Sequence, residues 1–523
     1  MIAMQSNYAR APNQRSHWMI FGLAWLVIFL MSATWAIATP IGGAPDEPAH
    51  LIKAASVARG LFLGTTTANG QLVHVPAYVA YTPAQTCYAR NEQVTAACSA
   101  PLKGDPGTIV DSVTTAGLYN PLYYMLVGWP TLLVHNDVGI YLMRLASALL
   151  SSLFLAAALM MISTWKRQLL PLLGFAVATT PMVFFLNGVV NPNSVETTAT
   201  LAVFVGVISM IRSPKPGLTL QRSMIVLVSA AVAVNMRGLS PLWVAIALLA
   251  PFILTSREQI ATISRSTAVR AAVIGVLVAT AAAMYWTVIS NSLGAGINDP
   301  NHSIAVPGVG GSPIRGFAQI FVGTFDYGQG LVGVFGWLDT PAPAAVFFTW
   351  SALIGGLVLA SVVALRGRAL ILALVLTGGL VLLPALTQAA YITGGGIIWQ
   401  GRYALPLFVC VMVGLATLLS DRMTAVETRG KNRLVWLVLS GWTLAQVFAL
   451  AFTLKRYGVG AVGTSWKRFL LTPEWSPPGG TILGLVACVV IFIGGSYLFG
   501  RLALARNGRE PEPVVATRAG VEQ

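Results

Sequence analysis

Apolar runs of about 20 residues, separated by short polar and basic stretches, recur along the whole of this sequence. An α-helix of that length crosses a hydrocarbon core of roughly 30 Å. The pattern predicts about twelve transmembrane helices, over residues 18–38, 138–164, 169–189, 193–211, 223–236, 240–255, 271–291, 342–364, 369–390, 402–420, 434–454 and 479–500. The first run follows Arg10 and Arg15 and ends in Ala36-Ile37-Ala38, which resembles a cleavage site. It is longer than the roughly 7–15 residues of a signal-peptide core, so it reads as a retained helix. The expected fold class is all-α and integral to a membrane, with one polytopic domain over 1–500 and a polar tail over 501–523.

Basic clusters orient the bundle. With the N-terminus inside, Lys166-Arg167, Arg212/Lys215/Arg222, Arg257/Arg265/Arg270, Arg366/Arg368, Arg422/Arg429/Lys431/Arg433 and the tail all fall in the cytoplasm. The short outer turns carry only Arg237 and Arg402, the asymmetry of the positive-inside rule. Three longer stretches, 39–137, 292–341 and 455–478, then lie outside. Within the first, 46–59 reads as a short helix stopped by Gly60 and 61–118 as polar, irregular chain. Asn120-Pro121 opens an aromatic amphipathic helix over 122–134, suited to lie at the membrane interface.

Composition agrees. Of 523 residues, 56% are apolar and 9% charged, against roughly 25% charged in a soluble domain; the mean hydropathy is +0.73. The net charge of +15 does not point to nucleic acid, because the basic residues sit between spans, where topology and anionic headgroups use them. Cys87 and Cys98 share the first outer loop, where an oxidising compartment favours their disulfide; Cys410 and Cys488 lie in spans. No Cys/His spacing suggests zinc, and no glycine-rich turn sits between a strand and a helix.

One acidic pair stands apart, in Gly43-Ala44-Pro45-Asp46-Glu47-Pro48-Ala49-His50 directly after the first span. On a helix starting there, Asp46, His50 and Lys53 share a face at i, i+4 and i+7. A carboxylate held at the membrane surface beside His50 can serve as a general base toward an acceptor hydroxyl. The plainer reading is that Asp46 caps the helix and complements its dipole.

Charges at the ends of spans are the other candidates: Glu196 opening the fourth, Arg237 closing the fifth, Arg402 entering the tenth, and Arg144 about one turn inside the second. Charges at that depth face a cavity or a partner, and arginine grips phosphate through paired hydrogen bonds; snorkelling to headgroups is the alternative. Arg402 is favoured because Gly401 leaves room for a ligand and Gln400 is a polar neighbour. Residues 326–341 carry four glycines with Trp337 and Asp339, a sugar platform or an interfacial anchor.

Four motifs together, Pro45 to His50, Asn120 to Tyr124 (Asn-Pro-Leu-Tyr-Tyr), Gly336 to Pro341 (Gly-Trp-Leu-Asp-Thr-Pro) and Gln400 to Pro406 (Gln-Gly-Arg-Tyr-x-x-Pro), resemble the bacterial membrane family DUF2142. That family is similar to the GT-C superfamily of glycosyltransferases, which take sugars from polyprenyl-phosphate carriers. The resemblance implies a GT-C-like fold with interfacial helices in the first outer loop, and a catalytic base at Asp46 assisted by Glu47. The expected function is inverting transfer of a sugar from a polyprenyl phosphate to an envelope glycan or glycolipid, on the outer face of the bacterial cell membrane. Arg402, Arg237, Lys53 and His50 would hold the lipid phosphate. Glu196, Trp337, Asp339, Gln400, Tyr403 and Tyr123 would line the sugar or acceptor site. No cofactor is firmly implied, although some such enzymes use a divalent cation. A transporter or flippase of a lipid-linked saccharide is the competing expectation.

Overall fold

The computed structural model describes residues 14–102, 107–292, 307–422 and 428–505. Most of the expected tail and residues 293–306 of the second long loop lie outside them. The first half contains α1 (Gln14–Ala38), α2 (Glu47–Ala58), α3 (Pro121–Gly128), α4 (Asp137–Ser163), α5 (Leu169–Ala178), α6 (Pro181–Asn187) and α7 (Asn193–Arg212). Then come α8 (Thr219–Ala233), α9 (Ser240–Leu249), α10 (Thr267–Ile289) and α11 (Thr324–Val332). The chain closes with α12 (Ala344–Ala364), α13 (Gly367–Gly395), α14 (Leu405–Leu419), α15 (Thr428–Val459) and α16 (Thr481–Leu504).

Among the described residues, ten helices are long and apolar enough to cross a bilayer, so the chain is a multi-pass, mostly helical membrane protein. The other two expected spans form differently. The run at 240–255 is the short α9 followed by a 3-10 turn at Ala250–Leu254. The run at 169–189 breaks into α5 and α6, bent by 65°. Pro181 cannot continue the α5 hydrogen-bond ladder. The Thr179 carbonyl left free at the break accepts from Trp442 Nε1 at 3.2 Å and Gln446 Nε2 at 2.7 Å. A broken helix is tolerated inside a membrane protein when neighbours satisfy its backbone in this way.

Helices α7 and α14 are almost wholly enclosed and form the axis of the bundle, while α10 and α12 lie at its edge with most of their surface exposed. Apolar exposure on those edge helices, as at Val273, Ile274, Leu277 and Phe348, suits contact with lipid.

One end of the bundle carries the long loops, and there the expectation of irregular chain over 61–118 is overturned. Strands β1 (Thr65–Thr67), β2 (Gly70–Pro76) and β3 (Ile109–Thr114) form an antiparallel sheet in the order β1-β2-β3. Val73 and Val75 point inward at the two-residue period of a strand. The sheet packs on α2, and the Thr114 hydroxyl donates to the Ala49 carbonyl at 2.7 Å. Covered by the sheet and by α3, helix α2 is buried along most of its length. By contrast α3 leaves Met125 and Leu126 exposed, continued by Trp129 and Leu133. The Cys87–Cys98 disulfide forms, with Cα atoms 6.1 Å apart.

Candidate active site

The turn between α1 and α2 is held by four distant side chains. Arg144 donates to the carbonyls of Thr39 and Pro40 at 2.6 and 2.7 Å. Tyr88 donates to Ile41, Trp337 Nε1 to Gly42 and Tyr457 to Gly43, each at 2.9 Å. Buried backbone carbonyls need partners, and here the partners come from across the sequence. The turn ends at Asp46, whose φ of 65° places it in the left-handed region. Asp and Asn occupy that region more readily than other non-glycine residues.

Asp46 is the N-cap of α2, yet its side chain makes no capping hydrogen bond. The capping reading therefore fails: the carboxylate turns away and accepts from Arg402 Nη2 at 2.9 Å. The two partners differ in surroundings, the Asp46 side chain being 51% exposed and that of Arg402 only 3%.

Glu47, the adjacent carboxylate, has a separate fate. It takes Arg144 in two parallel bonds, Nε to Oε1 at 2.7 Å and Nη2 to Oε2 at 2.6 Å, and also accepts from the Val190 amide at 3.2 Å. Both side chains are fully buried. The expectation that Glu47 assists at the reacting centre is thus corrected: its oxygens are committed to joining α2, α4 and the turn between α6 and α7.

Trp337 and Asp339 serve the same scaffold rather than a sugar platform. Trp337 holds Gly42, as above, and Asp339 accepts from the Arg90 amide at 2.8 Å and from Arg456 Nη2 at 3.1 Å. Arg456 in turn donates to the carbonyls of Tyr88, Asn91 and Val94. Tyr123 is likewise a packing residue, fully buried with its hydroxyl 2.9 Å from Ser147 Oγ.

Arg402 is placed by a tight backbone contact. A Cβ at Gly401 would be driven into the Tyr327 carbonyl oxygen and would crowd Gly330 on α11. Gly401 therefore lets two chain segments meet and does not leave room for a ligand. The preceding loop is organised by Gln388 of α13, which donates to Gly396 O at 2.7 Å and accepts from the amides of Ile398 and Trp399 at 3.1 and 3.0 Å. Gly401→Ala is expected to cost roughly 1–3 kcal/mol, typical of an overpacked contact, and to weaken binding of an anion at Arg402. Thermal unfolding and a lipid-phosphate titration of the purified variant check both.

Nε and Nη1 of Arg402 are buried and, among the described residues, have no hydrogen-bond partner; Gln400 Oε1 is in the same position. Guanidinium donors left unmade inside a protein are costly, so Arg402 retains unused capacity for further acceptor oxygens.

Near the pair, though lined by neither Asp46 nor Arg402, lies a cavity of about 350 Å³, with Tyr119, Asn120, Glu196, Arg237, Trp286 and Tyr403 among its walls, together with Trp243, Tyr391 and Trp399. Tyr403 links it to Arg402: its ring centroid is 4.2 Å from the Arg237 guanidinium carbon and 5.5 Å from that of Arg402. Glu196 is buried, accepting from Ser240 Oγ at 2.7 Å and Asn193 Nδ2 at 3.0 Å, with Arg237 Nη1 at 3.8 Å. Asn120 donates to Asn235 Oδ1 at 2.8 Å, tying the Asn-Pro-Leu-Tyr-Tyr motif to the Arg237 turn. Tyr119, Asn120, Trp286 and Trp399 were not among the expected site residues; Asn120 alone carried a signal, as the first residue of a motif.

Two expected cations are turned elsewhere. Lys53 donates to the carbonyls of Phe62 and Gly117, both at 2.5 Å, and burial pushes it down to about 8. His50 lies with Nδ1 2.8 Å from the Tyr124 hydroxyl and packs edge-on against Tyr119. Burial, opposed by Asp46 and reinforced by Arg237 and Arg402, pushes it down to about 3. It is therefore neutral near pH 7 and is not a phosphate-binding cation. Since the folded pKa lies below the ordinary 6.5, protons bind the unfolded chain first, and stability is lost as pH falls from 6.5 toward about 3. Thermal unfolding against pH should show this slope, flattened in His50→Gln.

Among the described residues, no group of three or more His, Cys, Asp or Glu side chains could hold a metal ion. The arrangement is that of a polytopic membrane protein with a half-exposed carboxylate and a partly unsatisfied arginine near a largely apolar, aromatic-walled cavity that carries a few polar groups. By sequence, the chain belongs to the family described as predicted membrane protein (DUF2142), matched over residues 29–411. No curated protein matches it. Among solved structures it is similar to ArnT from Cupriavidus metallidurans bound to undecaprenyl phosphate, at 13% identity and a TM-score of 0.46, covering 94% of this chain and 79% of that one.

Proposed function

We propose that this protein is an inverting membrane glycosyltransferase, moving a sugar from a polyprenyl-phosphate carrier to a cell-envelope acceptor on the extracytoplasmic face. The observation that carries the reading is the Asp46–Arg402 pair, a half-exposed carboxylate joined to a buried arginine with two unpartnered nitrogens. Asp46 accepts the proton of the acceptor hydroxyl as its oxygen forms a bond to the anomeric carbon. The bond from that carbon to the phosphate oxygen breaks, and the electron pair leaves on the lipid phosphate. Arg402, with Arg237, stabilises the departing charge, an electrostatic contribution strongest where water is excluded. Glu196 and the aromatic walls of the cavity shape the sugar site, offering ring faces with a few fixed polar groups.

The orientation rests on two features. The Cys87–Cys98 disulfide sits at the loop-rich end beside the site, and the basic residues Arg167, Arg212, Lys215 and Arg222 gather at the other. On the positive-inside rule these features support a reading with both termini in the cytoplasm of a bacterial cell.

The test is transfer by purified protein in detergent, supplied with a polyprenyl-phosphate sugar and envelope acceptors. Turnover without a sealed compartment supports an enzyme. Movement of lipid-linked saccharide across reconstituted vesicles without transfer supports the flippase instead.

A further inference from the structure

We infer that an anionic headgroup arriving at Arg402 displaces the Asp46 carboxylate, so that the proton acceptor is released only once the donor is seated. The inference rests on the reading of the site as a lipid-phosphate glycosyltransferase and adds to it an order of events.

Three observations carry it. First, Asp46 holds Arg402 through Nη2, and both bidentate edges of a guanidinium, Nε with Nη2 and Nη1 with Nη2, contain that nitrogen. Nη2 has one N–H for each edge and Asp46 takes a single bond from it. A phosphate gripped by the edge that Asp46 faces therefore takes its donor, and one gripped by the other edge stands as a like charge across the same nitrogen and repels it. Second, the other members of both edges, Nε and Nη1, are buried and unpartnered among the described residues. Asp46 satisfies only part of the guanidinium, whereas a phosphate brings enough acceptor oxygens to use a whole edge. Third, the partners are unequal. Arg402 is enclosed behind the Gly401–Tyr327 contact, while the Asp46 side chain is 51% exposed. When the pair opens, Arg402 stays and Asp46 swings into solvent, where its carboxylate is rehydrated at small cost. The other nearby carboxylate, Glu196, is engaged with Ser240 and Asn193 and faces Arg237, so it does not replace Asp46 at Arg402.

The exchange explains why a base is found tied to a cation in the resting protein. A carboxylate held by Arg402 through Oδ2 is turned toward the cation, and one released beside a seated donor is free to turn to the acceptor hydroxyl. Water that enters before the donor therefore meets an inactive base.

The exchange predicts an unusual sign: removing a charged residue of the site tightens ligand binding. Wild type, Asp46→Asn and Arg402→Gln are purified in detergent and titrated with farnesyl phosphate and, separately, with inorganic phosphate, by calorimetry. Asp46→Asn is expected to bind both probes roughly tenfold more tightly, the factor for loss of one competing charge-assisted hydrogen bond. Arg402→Gln is expected to bind neither. Equal or weaker binding by Asp46→Asn overturns the exchange, as does a gain confined to farnesyl phosphate, because the carboxylate competes with the headgroup and not with the chain. A wild-type protein that binds farnesyl phosphate in this pattern but never transfers sugar leaves the exchange standing and defeats the glycosyltransferase reading.

Discussion

Asp46→Asn should reduce sugar transfer by about 10²–10⁴-fold, the span over which a general base contributes, while leaving the protein folded. The substitution keeps the shape of the side chain. It also suits the backbone, because asparagine accepts the left-handed conformation that Asp46 adopts at φ 65°. The amide oxygen of asparagine can still accept from the buried Arg402, so the guanidinium is not left without its one partner. Single-turnover transfer measured beside size-exclusion elution and melting temperature separates chemistry from folding. Wild-type transfer by Asp46→Asn would remove the residue from the mechanism.

Arg144→Met should do the opposite, destroying the fold rather than the chemistry. The change leaves Glu47 buried without its bidentate partner and strips a donor from the carbonyls of Ala36, Thr39 and Pro40. Breaking a buried ion pair on one side costs about 3–5 kcal/mol, a large fraction of the roughly 5–15 kcal/mol that holds a typical domain. The expected result is a low yield of monodisperse protein in detergent and a melting temperature well below wild type. A stable Arg144→Met protein with normal transfer would show that the turn presenting Asp46 does not depend on this pair.

The contrast between adjacent carboxylates marks how far the sequence could be read. The acidic pair after the first span was legible as special, but no spacing rule says that Asp46 reaches Arg402 while Glu47 reaches Arg144. Hydrophobic runs located all the long helices, because crossing a bilayer leaves a strong one-dimensional signal. The break at Pro181 also had a local cause, yet its tolerance depends on Trp442 and Gln446, more than 250 residues away. The sheet over 65–114 is not legible in the sequence because only Val73 and Val75 carry a buried apolar alternation, while β3 turns Ile109 and Val113 outward.

The motifs were visible singly, and their joint purpose was not. Trp337 and Asp339 looked like a sugar platform from composition, whereas their hydrogen bonds bind the Gly336–Pro341 segment to the Asp46 turn and to Arg456. Gly401 pointed to the right neighbourhood for the wrong reason, since it serves a backbone crossing with Tyr327 and Gly330. A cation at the entrance of a span is hard to explain without a partner, and Arg402 has one in Asp46.

The most direct test of the shared site is the position of a bound polyprenyl phosphate in an experimental structure of the purified protein. The account predicts phosphate density within about 4 Å of the Arg402 guanidinium, the range of a charge-assisted contact, with the Asp46 carboxylate swung off Nη2 into solvent. Headgroup density on a different wall of the bundle, with Asp46 still bonded to Arg402, would contradict it.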